Sequence, residues 1–363
     1  MYTNSGRVLI VGGGIAGLAT ARALRARGIE AQLLERAVSR AHVGTGVYLP
    51  ANAVRALDEL GLADQLAHRS YRISHQRFLD HRGRALMEVD LSDVWGETGS
   101  CFAIRHADLH DVMETGIPVH RGTTITALDE VTTAEHDVVV GADGVHSWVR
   151  SAAFPGSGSR FLGQVSWRFV VEDSADVSAW TVWLGHRSTF LAVPLGAGCT
   201  YCYAAVDRRT PTDPTAGDPS ALGSLFDGFA EPVPSLLGSL RAGPAYFSPI
   251  EEVVVRPWIH GRVVLVGDAA HAMSPNMAEG VGMAVEDALV LADVVAAGAP
   301  LAEYEARRRP RVEFVQAQTH RRDRTRNLPA FVRDPVLRAH GQHIFRGNYA
   351  RLGGPVTHGS ELR

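Results

Sequence analysis

A four-residue apolar run, Val8 to Val11, leads straight into Gly12-Gly13-Gly14-Ile15-Ala16-Gly17, and helical spacing then continues from Ile15 to Arg27. This junction restricts the fold more than any other feature of the chain. A buried parallel strand that turns through glycines into a helix is the first half of a βαβ unit. Gly12 permits the tight turn, Gly14 lets the backbone approach a pyrophosphate, and Gly17 lets the helix lie close on the strand. The helix start, at Ile15 and Ala16, offers free N–H groups and partial positive charge to phosphate. The helical spacing stops at Gly28, and Ala31 to Leu34 supplies a second strand. Glu35 ends that strand, 18 residues after Gly17, with Arg36 next to it. A carboxylate there is placed to accept hydrogen bonds from an adenosine ribose, and it suits an unphosphorylated ribose, as in FAD or NAD. A glycine loop used only for packing leaves Glu35 unexplained.

Beyond this unit the pattern changes. Residues 51–67 have helical spacing. From residue 71, Arg72 to Asp80 and Ala85 to Leu91 read as strands around the turn His81-Arg82-Gly83-Arg84. Ala107 to Glu114 is predicted as a helix and Asp137 to Val140 as a buried strand. Phe161–Val171, Trp180–Gly185, Phe190–Leu195 and Thr200–Val206 form a block of strands, and residues 207–220 read as a loop. Arg262–Val266 is again a buried strand, followed by a helix from Val281 to Ala297. At 363 residues the chain exceeds the roughly 250–300 residues at which one core stops growing. The order predicts an α/β fold: a Rossmann-like cofactor domain (1–70, 100–160 and 255–300) interrupted by a β-sheet substrate domain (71–99 and 161–254), with C-terminal helices in an Arg-rich segment, 301–363.

Composition removes several chemistries. All 36 basic residues are Arg, so a P-loop and a Schiff-base mechanism both lack their lysine. A net charge of −3 argues against a dedicated nucleic-acid binder. Segment 301–363 holds 13 Arg against 6 acidic residues, clustered at 307–311 and 321–326 without interleaved aromatics, and reads as a solvated helical face on an acidic body. Cys101, Cys199 and Cys202 make no disulfide framework. The polar start, Met1 to Arg7, and the lack of an apolar run of about 18 residues predict a cytoplasmic protein without a membrane partner. Cys199 and Cys202 form a CxxC, but i and i+3 on a strand face opposite ways, so no metal site is expected. His340 and His343 read as surface residues.

Two further motifs carry chemistry. Val138-Val139-Val140-Gly141-Ala142-Asp143-Gly144 ends a buried strand in Asp-Gly. Val263 to Val266 leads to Gly267-Asp268-Ala269-Ala270-His271, then Pro275 and Glu279-Gly280-Val281-Gly282. Asp268 stands at the carboxyl end of a strand, where open α/β sheets bind ligands. A second helix opening near Gly280 favours negative charge on a bound ring.

Together, Gly12–Gly17 with Glu35, Asp143-Gly144, Gly267-Asp268, residues 44–50 and Ser166-Trp167-Arg168 resemble the class A FAD-dependent monooxygenases, the p-hydroxybenzoate hydroxylase-like enzymes, over about residues 7–310. The resemblance implies FAD bound by Gly12, Gly14, Ile15, Ala16, Gly17, Glu35, Arg36, Val47, Asp143, Gly144, Asp268, Gly280, Val281 and Gly282. Glu35 would hold the ribose and Asp268 the ribityl or pyrophosphate region, while Pro275 to Gly282 would lie against the isoalloxazine. The family's phosphate-reaching Arg falls at His106, with Arg105 beside it, and either is a candidate. NADH or NADPH would reduce the flavin, and oxygen would form a C4a-hydroperoxide that hydroxylates an aromatic or polyketide-like small molecule. Relatives of the same fold leave two alternatives: a flavin-dependent epoxidase or non-oxygenating oxidoreductase, and a non-catalytic flavin-binding redox module. Halogenases of this type need a lysine and are excluded.

Candidate catalytic residues are Pro275 and His271, and His186 is a further candidate base. On the strands, alternate residues share a face, giving one set of Trp167, Phe169 and Val171 and another of Ser166, Arg168 and Val170. Arg168, Trp183, Phe190, Tyr201 and Tyr203 are the candidate substrate contacts. A monomer or homodimer is expected.

Overall fold

The computed structural model describes residues 7–39, 44–127, 136–172, 177–240 except 214, 217, 219 and 220, and 245–357. The chain begins with β1 (Val8–Val11), α1 (Ile15–Arg25) and β2 (Ala31–Glu35). Next come β3 (Gly46–Leu49), α2 (Ala51–Glu59), α3 (Ala63–Arg69), β4 (Tyr71–Ile73), β5 (His75–Asp80), β6 (Ala85–Asp90) and α4 (Ser92–Trp95). Then follow β7 (Cys101–Arg105), α5 (His106–Glu114), β8 (His120–Arg121), β9 (Val138–Gly141) and α6 (Trp148–Ala153). The strand-rich middle comprises β10 (Ser159–Val171), β11 (Trp180–Leu184), β12 (Ser188–Gly196), β13 (Cys199–Asp207), α7 (Leu222–Leu225), α8 (Val233–Gly238) and β14 (Tyr246–Val253). The chain closes with β15 (Ile259–His260), β16 (Val263–Leu265), α9 (Asp268–His271), α10 (Gly280–Ala296), α11 (Ala302–Arg326) and α12 (Ala330–Tyr349).

Three sheets result. The first has the order β15-β16-β9-β1-β2-β8, parallel throughout except for the β15 edge. Val8, Leu9, Ile10, Val138, Val139, Val140, Val263 and Val264 are buried, as a parallel sheet covered on both faces requires. Its parallel register brings the ends of β1, β9 and β16 together, so the turns at Gly12, Ala142 and Gly267 share one edge. The second sheet runs β14-β10-β13-β12-β11-β5-β6, and the third, β3-β7-β4, packs against the second.

The α/β class, the interruption by a second sheet and the helical C-terminus match the sequence expectation. Local boundaries differ. The apolar spacing over residues 51–67 is two helices, because Gly61, at φ 73°, turns the chain between them. Arg72 and Ile73 leave the predicted strand and, with Tyr71, join the third sheet. After the 207–220 loop, α7 and α8 cover one face of the second sheet, where Trp167, Phe169 and Cys202 pack with Leu222, Phe226 and Val233.

The Arg-rich segment is less solvated than expected. Arg308 on α11 is 1% exposed; its Nη1 donates to Glu286 Oε2 and its Nε to Asp287 Oδ1, both at 2.8 Å. Arg311 donates to both oxygens of Glu286, at 2.8 and 2.7 Å. Arg333 on α12 is buried and donates to the carbonyl oxygens of Leu184 and Gly185. No helix among the described residues is long and apolar enough to cross a membrane. Replacing Arg308 by Met strips a shared guanidinium from two buried carboxylates, and removing one partner of such a group costs about 3–5 kcal/mol. We expect a lower urea midpoint at neutral pH; an unchanged midpoint contradicts the clamp.

Candidate functional site

At the β1–α1 turn, Gly12 has φ 111°, and a Cβ there would run into the Ala142 carbonyl oxygen. A Cβ on Gly17 would strike the Gly12 carbonyl oxygen, so only glycine lets α1 lie this close to the turn. Gly14 has no neighbour within 4 Å of a built Cβ. Helix α1 carries no side-chain cap, which leaves its first N–H groups to an outside acceptor. Glu35 stands beside this turn: its Oε2 accepts the Gly13 N–H at 2.7 Å and its Oε1 the Ala37 N–H at 2.8 Å. Arg36 is exposed. His110, which the sequence reading did not single out, lies with Nε2 2.9 Å from the Gly13 carbonyl oxygen.

The open space continues as a cavity of about 720 Å³. Ile15, Ala16, Val47, His106, Gly144, Asp268, Pro275, Gly280 and Val281 line its first half. Asp268 exposes its side chain to this cavity yet lies deep in the molecule, and burial pushes its pKa up. Helix α10 starts at Gly280 without a side-chain cap, so a second set of free N–H groups lies at the same cavity. An uncapped helix start behind an open glycine turn, a carboxylate at the second strand end and a second uncapped helix start fit FAD in both charge and shape.

Several sequence candidates fall elsewhere. Arg105 turns away from the cavity and donates to Glu172 Oε1 at 2.7 Å and to the Cys199 Sγ at 3.0 Å, whereas His106 lines it. Neighbouring residues at a strand end point to opposite sides, which separates the pair. Burial pushes the His106 pKa down, and nearby His110 and Arg168 add to the shift. Asp143 is committed to α6: its Oδ2 accepts the N–H groups of Trp148 and Val149 at 2.7 and 3.0 Å, and its Oδ1 accepts the Ser147 hydroxyl. Gly282 is a packing glycine, since a Cβ would come within 2.9 Å of Glu279 Oε2 and 3.1 Å of Asn52 Nδ2. His271 is 3% exposed, bonded through Nε2 to Asp287 Oδ2 at 2.6 Å and packed on Trp258, so it holds the fold together and does not meet the cavity. His186 is exposed in the β11–β12 turn. Cys199 and Cys202 stand on opposite faces of β13, with Cys202 in the outer core. His340 and His343 are exposed.

The second half of the cavity is walled by the second sheet. Arg168, Tyr201 and Tyr203 line it, with the Arg168 guanidinium 5.8 Å from the Tyr203 ring centre. Trp183 and Phe190 do not. They are paired across β11 and β12 and face the α7–α8 side, buried against Phe169 and Phe226. The period-2 rule separated the two sets correctly, but which set faced the cavity depends on what covers each face. The Tyr203 hydroxyl is buried without a hydrogen-bond partner among the described residues, and burial pushes the Tyr201 pKa up to about 12. The sequence reading missed the far wall: Arg321, Arg322, Thr325 and Arg326 of α11 and much of one side of α12 line the cavity. The Arg321–Arg326 cluster was the available signal, and it was read as solvated.

Within the Pro275–Gly282 loop, Glu279 is 1% exposed and accepts from Asn52 Nδ2 at 2.8 Å, while its Oε1 has no partner among the described residues. Burial pushes it up to about 8 against the hydrogen bond from Asn52, and Glu286 adds to the rise. The folded chain therefore keeps a proton that the unfolded chain releases above its ordinary value of 4.5. Stability should fall as pH rises from about 4.5 to 8, and Glu279→Gln should flatten that decline. Urea unfolding at several pH values across the window measures this, and parallel curves for the two proteins refute it. For the cradle, Gly14→Val, where a side chain meets nothing in the fold, should yield a folded but colourless protein, read as loss of flavin absorbance per polypeptide; a fully yellow variant would remove the turn from the binding site.

The FAD binding domain family model matches residues 6–137 and 87–319. The chain is 34% identical over 338 residues to the 2-heptyl-3-hydroxy-4(1H)-quinolone synthase of Pseudomonas aeruginosa, covering 86% of this chain and 87% of that protein. It is 33% identical over 359 residues to a 3-amino-4-hydroxybenzoate 2-monooxygenase of Streptomyces platensis, covering 90% of each. Among solved structures, Klebsiella pneumoniae HpxO in complex with FAD and uric acid superposes with a TM-score of 0.85 at 25% identity, over 98% of this chain and 99% of that one.

Proposed function

The chain belongs to the class A FAD-dependent monooxygenases, and from that premise we propose that it hydroxylates an electron-rich aromatic or heteroaromatic ring held between the Pro275–Gly282 loop and the Arg168, Tyr201 and Tyr203 face. The observation that carries this reading is the single cavity that joins the flavin cradle to an aromatic sheet face. FAD held at the Gly12–Gly17 turn and the start of α10 would supply the redox chemistry, with two electrons from NADH or NADPH, one oxygen atom of O2 to the ring and the other to water.

The chain's own groups do the rest by holding, orienting and excluding water. The first turns of α1 and α10 place backbone N–H groups against negative charge. Asp268 and His106 stand at the cavity's cofactor side, and Pro275 forms part of the wall that a ring would face. The Tyr203 hydroxyl, without a hydrogen-bond partner among the described residues, is placed to donate to a ring oxygen of the substrate, and Tyr201 beside it is a neutral phenol whose burial raises its pKa further. Helices α11 and α12 close the cavity on the side opposite the sheet. The names of the quinolone and aminohydroxybenzoate relatives support a ring bearing nitrogen or hydroxyl substituents. In this reading the first sheet and its helices hold FAD, the second sheet roofs the substrate, and the protein acts in the cytoplasm as a monomer or homodimer. Three unpaired cysteines support a reducing compartment.

The purified yellow protein should bleach when NADH or NADPH is added without oxygen and recover its colour in air. An aromatic substrate should speed the bleaching and appear afterwards with one added oxygen by mass spectrometry. Bleaching without oxygen transfer to any aromatic compound would favour the non-oxygenating alternative, and a flavin that neither nucleotide reduces would favour the redox module.

A further inference from the structure

The sheet face that lines the cavity changes character along the strand order. At β10 and β13 it presents Arg168, Tyr201 and Tyr203, close enough to the cofactor side for Arg168 to act electrostatically on His106 and Asp268. Three strands further across, through β12 and β11 to β5, it presents Val182, Leu184 and Phe78, with Met87 beyond on β6. Strands lie about 4.8 Å apart, so β13 to β5 is about 14 Å, well past the footprint of a ring seated at Tyr203.

This far arm is walled by α12, which contributes Leu337 and Phe345. The Phe78 ring centre lies 5.9 Å from that of Phe345 and 5.4 Å from that of Trp180, a continuous aromatic lining. Among the described residues, the lining from β5, β6, β11 and α12 is uncharged, with Gln76 and Asn348 as its polar members, and the Arg322 guanidinium of α11 stands at its edge, 5.5 Å from the Phe345 ring centre. The arm is also slim. Gly341 brings α12 down onto β6, and a Cβ there would run into the Met87 side chain. A slim extension lined mainly by apolar and aromatic side chains suits a flexible apolar chain better than a second ring system.

We propose that this arm receives an unbranched alkyl chain carried by the aromatic substrate, and that Phe78, Val182 and Leu337 set the length of chain accepted. The proposal rests on the aromatic-hydroxylase reading and narrows its substrate class. Its energetic basis is simple transfer. Each methylene moved from water into such a lining tightens binding by about fourfold until the arm is full. The charged and hydroxyl groups at the β10 and β13 end then fix the ring, while the chain supplies affinity.

The test uses the FAD-loaded protein and 4-quinolones bearing methyl, pentyl, heptyl or nonyl chains at carbon 2, with simple hydroxybenzoates as chainless rings. Kd is read from the change in flavin fluorescence, and NAD(P)H consumption is measured alongside. The expected result is a Kd that falls steeply with chain length and then levels off. Val182→Phe, which fills the arm, should collapse the ratio of methyl to heptyl Kd by about tenfold or more. Leu337→Ala, which lengthens the arm, should move the plateau to a longer chain, and it serves where the larger side chain prevents folding. A Kd independent of chain length in the unaltered protein overturns the proposal, even where the chainless rings still speed NAD(P)H consumption and so uphold the hydroxylase reading. Length-dependent binding with no ring able to speed NAD(P)H consumption upholds the arm and removes the hydroxylase reading.

Discussion

Two adjacent carboxylates on α10, Glu286 and Asp287, hold this molecule together, and both are fully buried. Asp287 accepts the Gly267 N–H at 2.9 Å, His271 Nε2 at 2.6 Å and Arg308 Nε at 2.8 Å. Burial alone would push Asp287 up, but His271 and Arg308 hold it at about 2, so it stays ionised across the working range. Glu286 gathers Arg308, Arg311 and Asn52. One turn of helix thus ties the end of β16, the start of α2 and the C-terminal α11 to a single point. Buried charges of this kind are weak evidence of net stability but strong determinants of geometry. Here they tie α10 to Gly267 and to α11, and the start of α10 faces the cavity.

The cofactor half was legible because its physics is local. A strand, a glycine turn and a helix start are all specified within Val8 to Gly17, and the close contact of Gly17 with the Gly12 carbonyl needs no information from elsewhere. The same holds for the βαβ return to Glu35. Legibility failed where a side chain's role depends on remote coverage. Trp183 and Phe190 alternate correctly but face α7 and α8, two short helices whose sequence gives little periodic signal. Asp143 looked like a ligand and is a cap for α6, because an Asp after a strand serves both purposes equally well. His271 carried the same ambiguity, resolved by Asp287 16 residues later.

The arginines are the clearest case of chemistry that composition alone hides. With no lysine in the chain, every long cationic side chain is a guanidinium. A guanidinium tolerates burial when its fork is matched, as at Arg308 and Arg333. Others in the same stretch line the cavity, including Arg322, which donates to the Tyr349 hydroxyl at 3.0 Å. Charge density along a segment says nothing about which of these fates each residue meets. That is decided by the acids and carbonyls the fold delivers to it.

The glycine turn and the cavity's far wall come from different parts of the chain and share no strand. Phe78, Val182 and Leu337 sit on β5, β11 and α12, while the uncapped helix starts that open on the cavity belong to α1 and α10. Drift at the first set leaves the second intact, so a gene of this kind can try new substrates without risking its redox chemistry. A lineage built on this plan would diversify by rewriting its walls and inherit its cofactor turn almost unchanged.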